Sequence, residues 1–468
     1  MTAPRVCLHG HCYQPDRADP HTGWVPADAA AVPFHDWNRR ITAECYAANL
    51  RVGNYARTSF NFGPTLLAWL ERESPADHSG IIAADRHGRA RFGGHGPAIA
   101  QAWGHSILPL DTDRDRRTQV RWGVRDFEHR FGREPEGIWL PETAVDLPTL
   151  ETVADAGIRF TILAPHQAGH GPGAYRCPLP SGRELALFIY DAALAGDIAF
   201  GGLLADAGDF ARRLLSAGGD FVSVATDGET YGHHHPHGEL ALAGCLDRLE
   251  AAGARLTTYG QELADHPPRE NAALVERTSW SCAHGVERWR RACGCSTGRH
   301  PGWRQDWRAP LRAAVEWLRD AIAPAWEQRL APLFHDPWAL RDDHIEIILD
   351  PGSAPAVLSR HARRVLAGSD RALAAGLLEI QRRLLLSFTS CGWFFDDITE
   401  PASVQVIGSA ARAAELARQH LGLELEDGLT DILHNARSNR PEVGTGADIY
   451  RRGQEAMPGA DCRMQTSK

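Results

Sequence analysis

Residues 220–230 read DFVSVATDGET, an apolar run that ends in two acidic side chains, Asp227 and Glu229. A short apolar run bounded by polar residues is typical of a buried strand in a parallel sheet. Parallel α/β folds place their chemistry at the carboxyl ends of such strands. We therefore expect both carboxylates to lie at the mouth of a functional site.

A second segment has the same form. Residues 137–142 read GIWLPE, so that the carboxylate of Glu142 directly follows a short apolar run. Asp and Glu are also common in the first turn of helices, so either acid taken alone has a structural explanation. Two acids at strand ends favour a shared cleft, in which Glu142 and Asp227 form a catalytic pair.

Helical and strand-like segments alternate from residue 118 onwards. Val120, Val124 and Phe127 recur at helical spacing, and short apolar runs at 160–163 and 185–190 predict strands. This alternation predicts an α/β fold with a parallel sheet, and its length favours a barrel, complete or incomplete, over a small open sheet.

Beyond residue 306 the pattern becomes helical. Apolar residues recur at helical spacing over 357–366, 372–386, 404–421 and 429–434, and strand signals largely disappear. We therefore predict three regions: an α/β catalytic domain over 1–305, a helical bundle over 306–438 and a poorly ordered tail over 439–468.

Composition limits the partners and the cellular location. The chain has 468 residues, 43% of them hydrophobic and 23% charged, and a net charge of −9 without any long Lys/Arg run. Nucleic acid binding requires a basic surface, so this balance argues against it. The chain opens without the apolar stretch of a signal peptide and contains no run of about 18 apolar residues, which predicts a cytoplasmic protein without a membrane partner.

The ten cysteines are scattered and are predicted to be reduced thiols. One group, Cys282, Cys293 and Cys295 with His284, offers metal-ligand side chains but lacks the Cys-x-x-Cys spacing of structural zinc sites. We favour ordinary thiols, with zinc as the alternative, and predict no metal and no cofactor.

Candidate ligand-binding side chains follow or flank the predicted strands. Aromatic planes, His and Gln beside a pair of acids suit a neutral polyhydroxyl ligand, because sugar rings stack on aromatic faces and hydroxyls take directional hydrogen bonds. A histidine taken alone is more often structural. The candidates are His9, His11, Gln14, His95, Trp139, Glu229, Trp280, His284 and Trp289.

These segments resemble, in order and spacing, the five motifs of glycoside hydrolase family 57. They are HCYQP at 11–15, GHG at 94–96, WLPE at 139–142, DGETYG at 227–232 and WSCAHGVERW at 280–289. The resemblance covers residues 5–300 and implies an incomplete (β/α)7 barrel followed by helices. It also implies action on an α-glucan or oligosaccharide with retention of configuration. The helical part is similar to the extension of an uncharacterised subgroup of the family.

The resemblance also implies residue roles. Glu142 matches the nucleophile of the family and Asp227 its general acid/base, while Glu229, His11 and His95 match residues that line the subsite of the reacting sugar. Many members have His-Gln-Pro contiguous in the first motif, so that either His9 or His11 could fill the sugar-binding position here. Hydrolysis and glycosyl transfer both remain open, since both proceed through a glycosyl-enzyme.

Two other functions are compatible with parts of the sequence. A metal-dependent polysaccharide deacetylase or mannosidase would use His9, His11, Asp227 and the histidines at 233–235 as ligands, but no Asp stands beside His9 or His11 and Glu142 would have no role. A non-catalytic carbohydrate-binding protein on a degenerate barrel would not need the paired acids.

Overall fold

A computed structural model describes residues 4–455 as two compact units. The amino-terminal unit contains residues 4–16 and 26–281, and the carboxy-terminal unit contains residues 17–25 and 282–455. The first unit is an α/β fold and the second is helical, as the sequence predicts.

The unit boundary differs from the predicted one at residue 306. It falls at residue 282, because the segment between these positions has little regular structure and no change in composition to mark it. Residues 17–25 also join the carboxy-terminal unit, where Gln405 Nε2 donates to the carbonyl of Ala18 over 3.5 Å and His21 Nδ1 lies 3.4 Å from Glu415 Oε2.

The strands of the amino-terminal unit form two sheets. One has the order β2-β1-β8, with β9 also paired to β1, and the other has the order β3-β4-β5-β7-β6. Every pair is parallel except β6 with β7. The described strands are β1 (Arg5–Cys12), β2 (Ser59–Phe62), β3 (Ala100–Gln101), β4 (Gly137–Trp139), β5 (Phe160–Leu163), β6 (Gly173–Pro178), β7 (Glu184–Ile189), β8 (Phe221–Asp227) and β9 (Arg255–Leu256).

Alternation along β1 and β8 divides the core into two layers. Val6 of β1 and Val224 of β8 pack in one hydrophobic cluster, whereas Cys7 and Ala225 pack in another that also contains Trp139 of β4. Both sheets contribute to this second cluster, so their inner faces enclose one core. Successive side chains of a strand point to opposite faces, which places the side chains of residues 9, 11 and 227 on the inner face.

Hydrogen bonds between strand-flanking residues join the two sheets on both sides. Phe60 of β2 donates its N–H to the carbonyl of Pro97 over 3.1 Å and accepts from the N–H of Ile99 over 2.9 Å. On the other side, Asp191 donates its N–H to the carbonyl of Ser223 in β8 over 2.7 Å. The carboxyl ends of the parallel strands therefore lie around one common edge.

Helices connect these strands. The helix predicted around Val120–Phe131 is longer at its start, because Thr112 caps it by accepting the N–H of Asp115. A π-helical turn, Thr42–Tyr46, interrupts the first helical segment. The α-helices of this unit are α1 (Trp37–Ile41), α2 (Ala47–Arg51), α3 (Pro64–Glu73), α4 (Pro75–Arg91), α5 (Asp113–Phe131), α6 (Leu147–Asp155), α7 (Pro165–Ala168), α8 (Ala192–Ala199), α9 (Ala207–Leu215), α10 (Gly238–Ala251) and α11 (Tyr259–Asp265).

The carboxy-terminal unit packs its helices around buried aromatic residues. Trp326 Nε1 donates to the carbonyl of Leu377 over 2.7 Å, and Trp393 Nε1 donates to that of Arg308 over 3.0 Å. Its helices are α12 (Arg308–Leu330), α13 (Pro337–Leu349), α14 (Ala354–His361), α15 (Gly368–Leu386), α16 (Cys391–Phe394), α17 (Pro401–Leu421), α18 (Glu426–Leu433) and α19 (Gly446–Glu455). The helix predicted at 357–366 ends earlier, since Ala362 is extended, with ψ 137°.

The segment predicted as a poorly ordered tail is partly ordered. Asn439 donates its N–H to Asp397 Oδ2 over 2.6 Å, and α19 buries Ala447 and Tyr450. Glycines and charged residues surround these apolar positions, so the composition of this segment does not predict the helix. The remaining tail, residues 456–468, lies outside the described residues. Among the residues described, no helix is long and apolar enough to cross a membrane.

Candidate active site

Glu142 stands on a strained turn directly after β4. Its backbone is left-handed, with φ 56° and ψ 22°, and Thr143 follows with φ 49°. Such a conformation costs a residue other than glycine about 1–3 kcal/mol, and it persists where the surroundings fix it. The N–H of Thr143 donates to the carbonyl of Leu140 over 2.8 Å, and its hydroxyl donates to Gln167 Oε1 over 2.8 Å. The turn therefore holds the Glu142 side chain in one direction.

Two donors on the segment 280–281 fix the carboxylate itself. Trp280 Nε1 lies 3.1 Å from Glu142 Oε2, and Ser281 Oγ lies 2.6 Å from the same oxygen. The side chain of Glu142 is buried, with 8% exposed. Hydrogen bonds to an ionised acceptor are about twice as strong as neutral ones, so this pair of contacts orients the carboxylate firmly.

Asp227 ends β8 on the inner face of the fold. It lies opposite His11 in the parallel register of β8 with β1, and its side chain is exposed. The protein still surrounds the carboxyl group, and this loss of hydration raises its pKa well above the ordinary 3.8, with the charges of Glu229 and Glu142 adding to the shift. The electrostatic contact with Glu142 brings both sequence-predicted catalytic acids into one region.

Tyr190, which follows β7, lies near Asp227 and near the Trp280 side chain that contacts Glu142. Its ring centroid lies 6.4 Å from that of Trp280. Burial raises the pKa of the Tyr190 hydroxyl, and the charge of Asp227 raises it further. Tyr190 therefore borders both Asp227 and the indole that holds Glu142.

Glu229 is buried in a hydrogen-bonded group that includes Gln14. Its Oε1 accepts from the backbone N–H of Tyr13 over 3.2 Å, from Gln14 Nε2 over 3.4 Å and from the Tyr46 hydroxyl. Burial raises the pKa of Glu229, although these donors oppose the rise. A Cβ added at Gly228 would lie 2.2 Å from Cys12 Sγ, so glycine there lets the turn after β8 pack tightly against β1.

The histidines of β1 belong to a chain of hydrogen bonds. The distances are 2.9 Å from Ser59 Oγ to His9 Nδ1, 3.0 Å from His9 Nε2 to Asn61 Oδ1, 3.0 Å from Asn61 Nδ2 to His11 Nδ1 and 3.2 Å from His11 Nε2 to His105 Nε2. Asn61 joins the two rings, because its side-chain oxygen faces His9 Nε2 and its side-chain nitrogen faces His11 Nδ1. His11 Nε2 in turn faces His105 Nε2, and all three rings are neutral.

Burial explains this neutral state. It lowers the pKa of His9 and of His105 to about 3, and it lowers the pKa of His11 well below 6.5, with the neighbouring His105 and His9 contributing. The ring of Trp139 lies beneath the chain, with its centroid 5.1 Å from that of His9 and 4.8 Å from that of His11. The three neutral histidines and Trp139 therefore form an uncharged layer of low dielectric constant beneath the two acids.

The structure does not bring His95 and Trp139 to a ligand-facing position in this group. His95 pairs with Glu136 over 2.9 Å, and Glu136 precedes β4, at the end opposite to Glu142. Trp139 is fully buried and packs against the histidines. His284 and Trp289 belong to the carboxy-terminal unit, where Trp289 is also fully buried.

Several residues of the group were not predicted. His105 follows β3, and the strand-end rule that selected His11 could have found it, but β3 is too short to be recognised from its sequence. Tyr46 ends the π-helical turn, and Asn61 lies within β2. Ser281 stood inside a quoted motif without a role. These side chains lack a sequence signal because the tertiary fold alone brings them together.

The histidines proposed as metal ligands in the alternative interpretation have other partners. His233 Nδ1 lies 2.6 Å from Glu44 Oε2, and His235 Nε2 lies 2.8 Å from the carbonyl of Ala199. Both ring nitrogens of His9 and of His11 face protein groups. Among residues 4–455, these histidines and Asp227 do not belong to a cluster of three or more side chains that could hold a metal ion.

Comparison with protein families identifies the region that carries the two acids. Residues 96–274 match the model of glycosyl hydrolase family 57, and residues 303–457 match a domain of unknown function, DUF3536. The region that carries both acids is therefore similar to glycosyl hydrolase family 57. The second match covers most of the helical unit.

Solved structures similar to this protein are distant in sequence. An exo-type maltose-forming amylase from Pyrococcus sp. ST04 has a TM-score of 0.76 at 14% identity, covering 98% of this chain and 93% of its own. A branching enzyme from Pyrococcus horikoshii has a TM-score of 0.59 at 16% identity, covering 97% and 94%. At these identities the likeness concerns the fold.

A curated relative matches over a shorter stretch. Alpha-amylase 1 of Dictyoglomus thermophilum is 25% identical over 103 residues, which is 22% of this chain and 14% of the amylase. The chain thus aligns with a small part of that amylase.

Proposed function

We propose that the protein is a retaining glycoside hydrolase or transglycosylase that acts on α-glucans, with Glu142 as nucleophile and Asp227 as general acid/base. The observation that carries this proposal is the contrast between the two carboxyl environments. Donors hold Glu142 in a fixed direction, whereas Asp227 has a raised pKa and an exposed side chain. Pairs of titratable groups with such opposed environments divide the nucleophile and acid roles between them.

In the first step, Asp227 donates its proton to the glycosidic oxygen while Glu142 attacks the anomeric carbon. This requires Asp227 to be protonated before reaction, which the loss of hydration around its carboxyl group and the charges of Glu229 and Glu142 favour. A double displacement with retention needs the two carboxyl groups about 5–5.5 Å apart. Once Glu142 is esterified its charge is gone, so the pKa of Asp227 falls and the residue can act as the base for the incoming hydroxyl.

The second half-reaction decides the class of enzyme. Water at the position of the departed leaving group gives hydrolysis, and a sugar hydroxyl there gives transglycosylation. Asp227 is exposed and therefore accessible to either acceptor. The chemistry of the two carboxylates is the same in both cases.

We assign sugar binding at the reacting subsite to Glu229, Gln14, His11 and Trp280. His11 is preferred to His9 because it lies opposite Asp227 in register and is 5% exposed, against 1% for His9. The hydrogen bonds that join the two sheets support an incomplete (β/α)7 barrel as the scaffold of this subsite.

The substrate class rests on the comparisons. Similar structures are described as a maltose-forming amylase, a branching enzyme and a 4-alpha-glucanotransferase. An α-glucan or maltooligosaccharide is therefore the proposed substrate, and the cytoplasm is the proposed location.

Product analysis tests the proposal. Purified protein is incubated with maltooligosaccharides and with glycogen, and products are separated by chain length and linkage. Shorter sugars alone indicate hydrolysis, longer chains indicate transfer, and new branch points indicate branching activity. Glu142→Gln and Asp227→Asn should each reduce turnover by about 10³-fold or more.

Glu136→Gln is the matched control, because Glu136 lies at the other end of β4 and pairs with His95. It should retain the wild-type rate. A wild-type protein without glycosyl transfer or hydrolysis on any of these glucans, or a Glu142→Gln variant with normal turnover, would contradict the proposal.

A further inference from the structure

Four side chains of the carboxy-terminal unit converge outside the candidate active site. They are the thiols of Cys282, Cys293 and Cys295 and the imidazole of His284, and their ligand atoms all lie within 4.8 Å of one another. Cys282 is buried, Cys293 and Cys295 are partly buried, and His284 is exposed. The mechanism proposed above uses none of these four groups.

Three of the six distances between the four ligand atoms match the edges of a tetrahedron. Cys282 Sγ lies 3.9 Å from Cys293 Sγ and 3.8 Å from Cys295 Sγ, and Cys295 Sγ lies 3.5 Å from His284 Nδ1. Zinc with ligands at about 2.3 Å for sulfur and 2.0 Å for nitrogen gives tetrahedral edges of about 3.8 Å and 3.5 Å. We infer that these four residues bind one structural zinc ion.

Local backbone geometry allows the ligands of this segment to converge. Gly294, between two of the cysteines, has φ 89°, a left-handed turn that glycine adopts without strain.

The segment that carries these ligands has little regular structure, so a cross-link within it would stabilise its conformation. Between Cys282 and the start of α12, the regular structure is one short turn, Glu287–Trp289. Two hydrogen bonds fix the later part of this segment. Arg308 Nη1 donates to the carbonyl of Cys295 over 2.8 Å, and the backbone N–H of Thr297 donates to Asp396. A metal closes the ligand loop and contributes to folding stability, because the unfolded chain has no preformed site.

The ligand set selects zinc among the common metals. Three thiolates and one imidazole in tetrahedral geometry suit Zn²⁺, whereas Mg²⁺ and Ca²⁺ prefer oxygen ligands in larger shells. A disulfide is the competing use of these thiols. It would join two cysteines and leave the third thiol and the imidazole without a common function, whereas zinc uses all four.

Metal content provides the first test. Full-length protein is expressed with added zinc, purified without chelator, dialysed and analysed by inductively coupled plasma mass spectrometry. We expect about one zinc per chain in the wild type and less than a tenth of that in the Cys293→Ser/Cys295→Ser variant. Cys391→Ser, a partly buried cysteine of the same unit outside the group, should keep its zinc.

A second variant guards against loss of folding. The side chain of His284 is exposed, so His284→Ala should fold, bind zinc more weakly and melt at a lower temperature than the wild type. His284→Cys should restore tight binding, because it supplies a fourth thiolate. X-ray absorption at the zinc edge should give three sulfur ligands at about 2.3 Å and one nitrogen at about 2.0 Å.

Three results would overturn the inference. The first is a purified protein without stoichiometric metal. The second is bound zinc that has no sulfur ligand, which marks an adventitious ion only. The third is a disulfide among the three cysteines, found by peptide mapping. Iron in place of zinc at the same ligands would overturn the metal identity. None of these readouts depends on glucan turnover, so they remain separate from the test of the proposed function.

Discussion

Trp280 contacts Glu142 twice, once through its side chain and once through its backbone. The indole Nε1 lies 3.1 Å from Glu142 Oε2, and the backbone N–H of Trp280 donates to the carbonyl of Glu142 over 3.1 Å. One residue therefore fixes both the carboxylate and the left-handed backbone that carries it. Ser281 Oγ contributes the second donor to the same oxygen.

Removal of either side-chain donor should impair the nucleophile. Trp280→Phe keeps an aromatic ring but loses the N–H, and Ser281→Ala loses the hydroxyl. A hydrogen bond to a charged group contributes about 1.5–3 kcal/mol, so we expect kcat to fall by about tenfold or more in each variant. Steady-state kinetics on a maltooligosaccharide provide the measurement.

The double variant indicates whether the donors act as a unit. Both hydrogen bonds end on one oxygen, so the combined loss should differ from the sum of the single losses. Ser296→Ala, in the carboxy-terminal unit, is the control and should retain wild-type kinetics. Unchanged kcat in both single variants would show that these donors do not position Glu142 for reaction.

The raised pKa of Asp227 predicts a stability effect with a defined sign. Between the ordinary pKa of 3.8 and the higher folded-state pKa, the folded protein binds more protons than the unfolded chain. The free energy of unfolding therefore decreases as pH rises through this window, and the full penalty is present above it. Asp227→Asn removes the penalty, so the variant should melt at a higher temperature than the wild type at neutral pH.

The gap in melting temperature should narrow as the pH falls toward the ordinary pKa of the carboxyl group. Asp220→Asn, which lies at the other end of β8 and is exposed, should follow the wild type throughout. Differential scanning calorimetry over a series of pH values provides the test. A lower melting temperature for Asp227→Asn at neutral pH would mean that its charge stabilises the fold.

The neutral histidine chain predicts acid sensitivity. The pKa values of His9 and His105 are lowered to about 3, so between that value and 6.5 the unfolded chain binds more protons than the folded protein. Stability should therefore fall as the pH decreases from about 6.5 toward 3. His105→Gln removes one of these groups and should reduce the slope of melting temperature against pH. His87→Gln, on the exposed side of α4, should not change it.

If the melting temperature fell equally steeply at acid pH in the wild type and in His105→Gln, the result would contradict this account. A chain of charged histidines would give the opposite sign, because protonation would then stabilise the folded state.

The strand-end acids are the part of the candidate site that a sequence pattern indicates. Asp227 and Glu142 follow apolar runs, and β8 and β4 deliver them to the same edge of the fold. His95 was selected by a glycine-rich turn, which identifies a turn but not the end of the strand at which it lies. His105 follows a strand of two residues, too short for any periodicity. The tetrahedral cysteine group has irregular spacing, and only the folded loop brings its sulfurs together.

Small-anion rescue should distinguish the two acids chemically. In Glu142→Ala, azide can occupy the vacated space and attack the anomeric carbon of an activated α-glycoside in a single displacement, which gives the β-glycosyl azide. In Asp227→Ala, the glycosyl-enzyme still forms when the leaving group needs no proton, and azide then attacks it from the opposite face, which gives the α-glycosyl azide. Nuclear magnetic resonance of the products identifies the anomer. The same anomer from both variants, or rescue of Glu229→Ala in place of Glu142→Ala, would overturn the assigned roles, whatever the family match of residues 96–274.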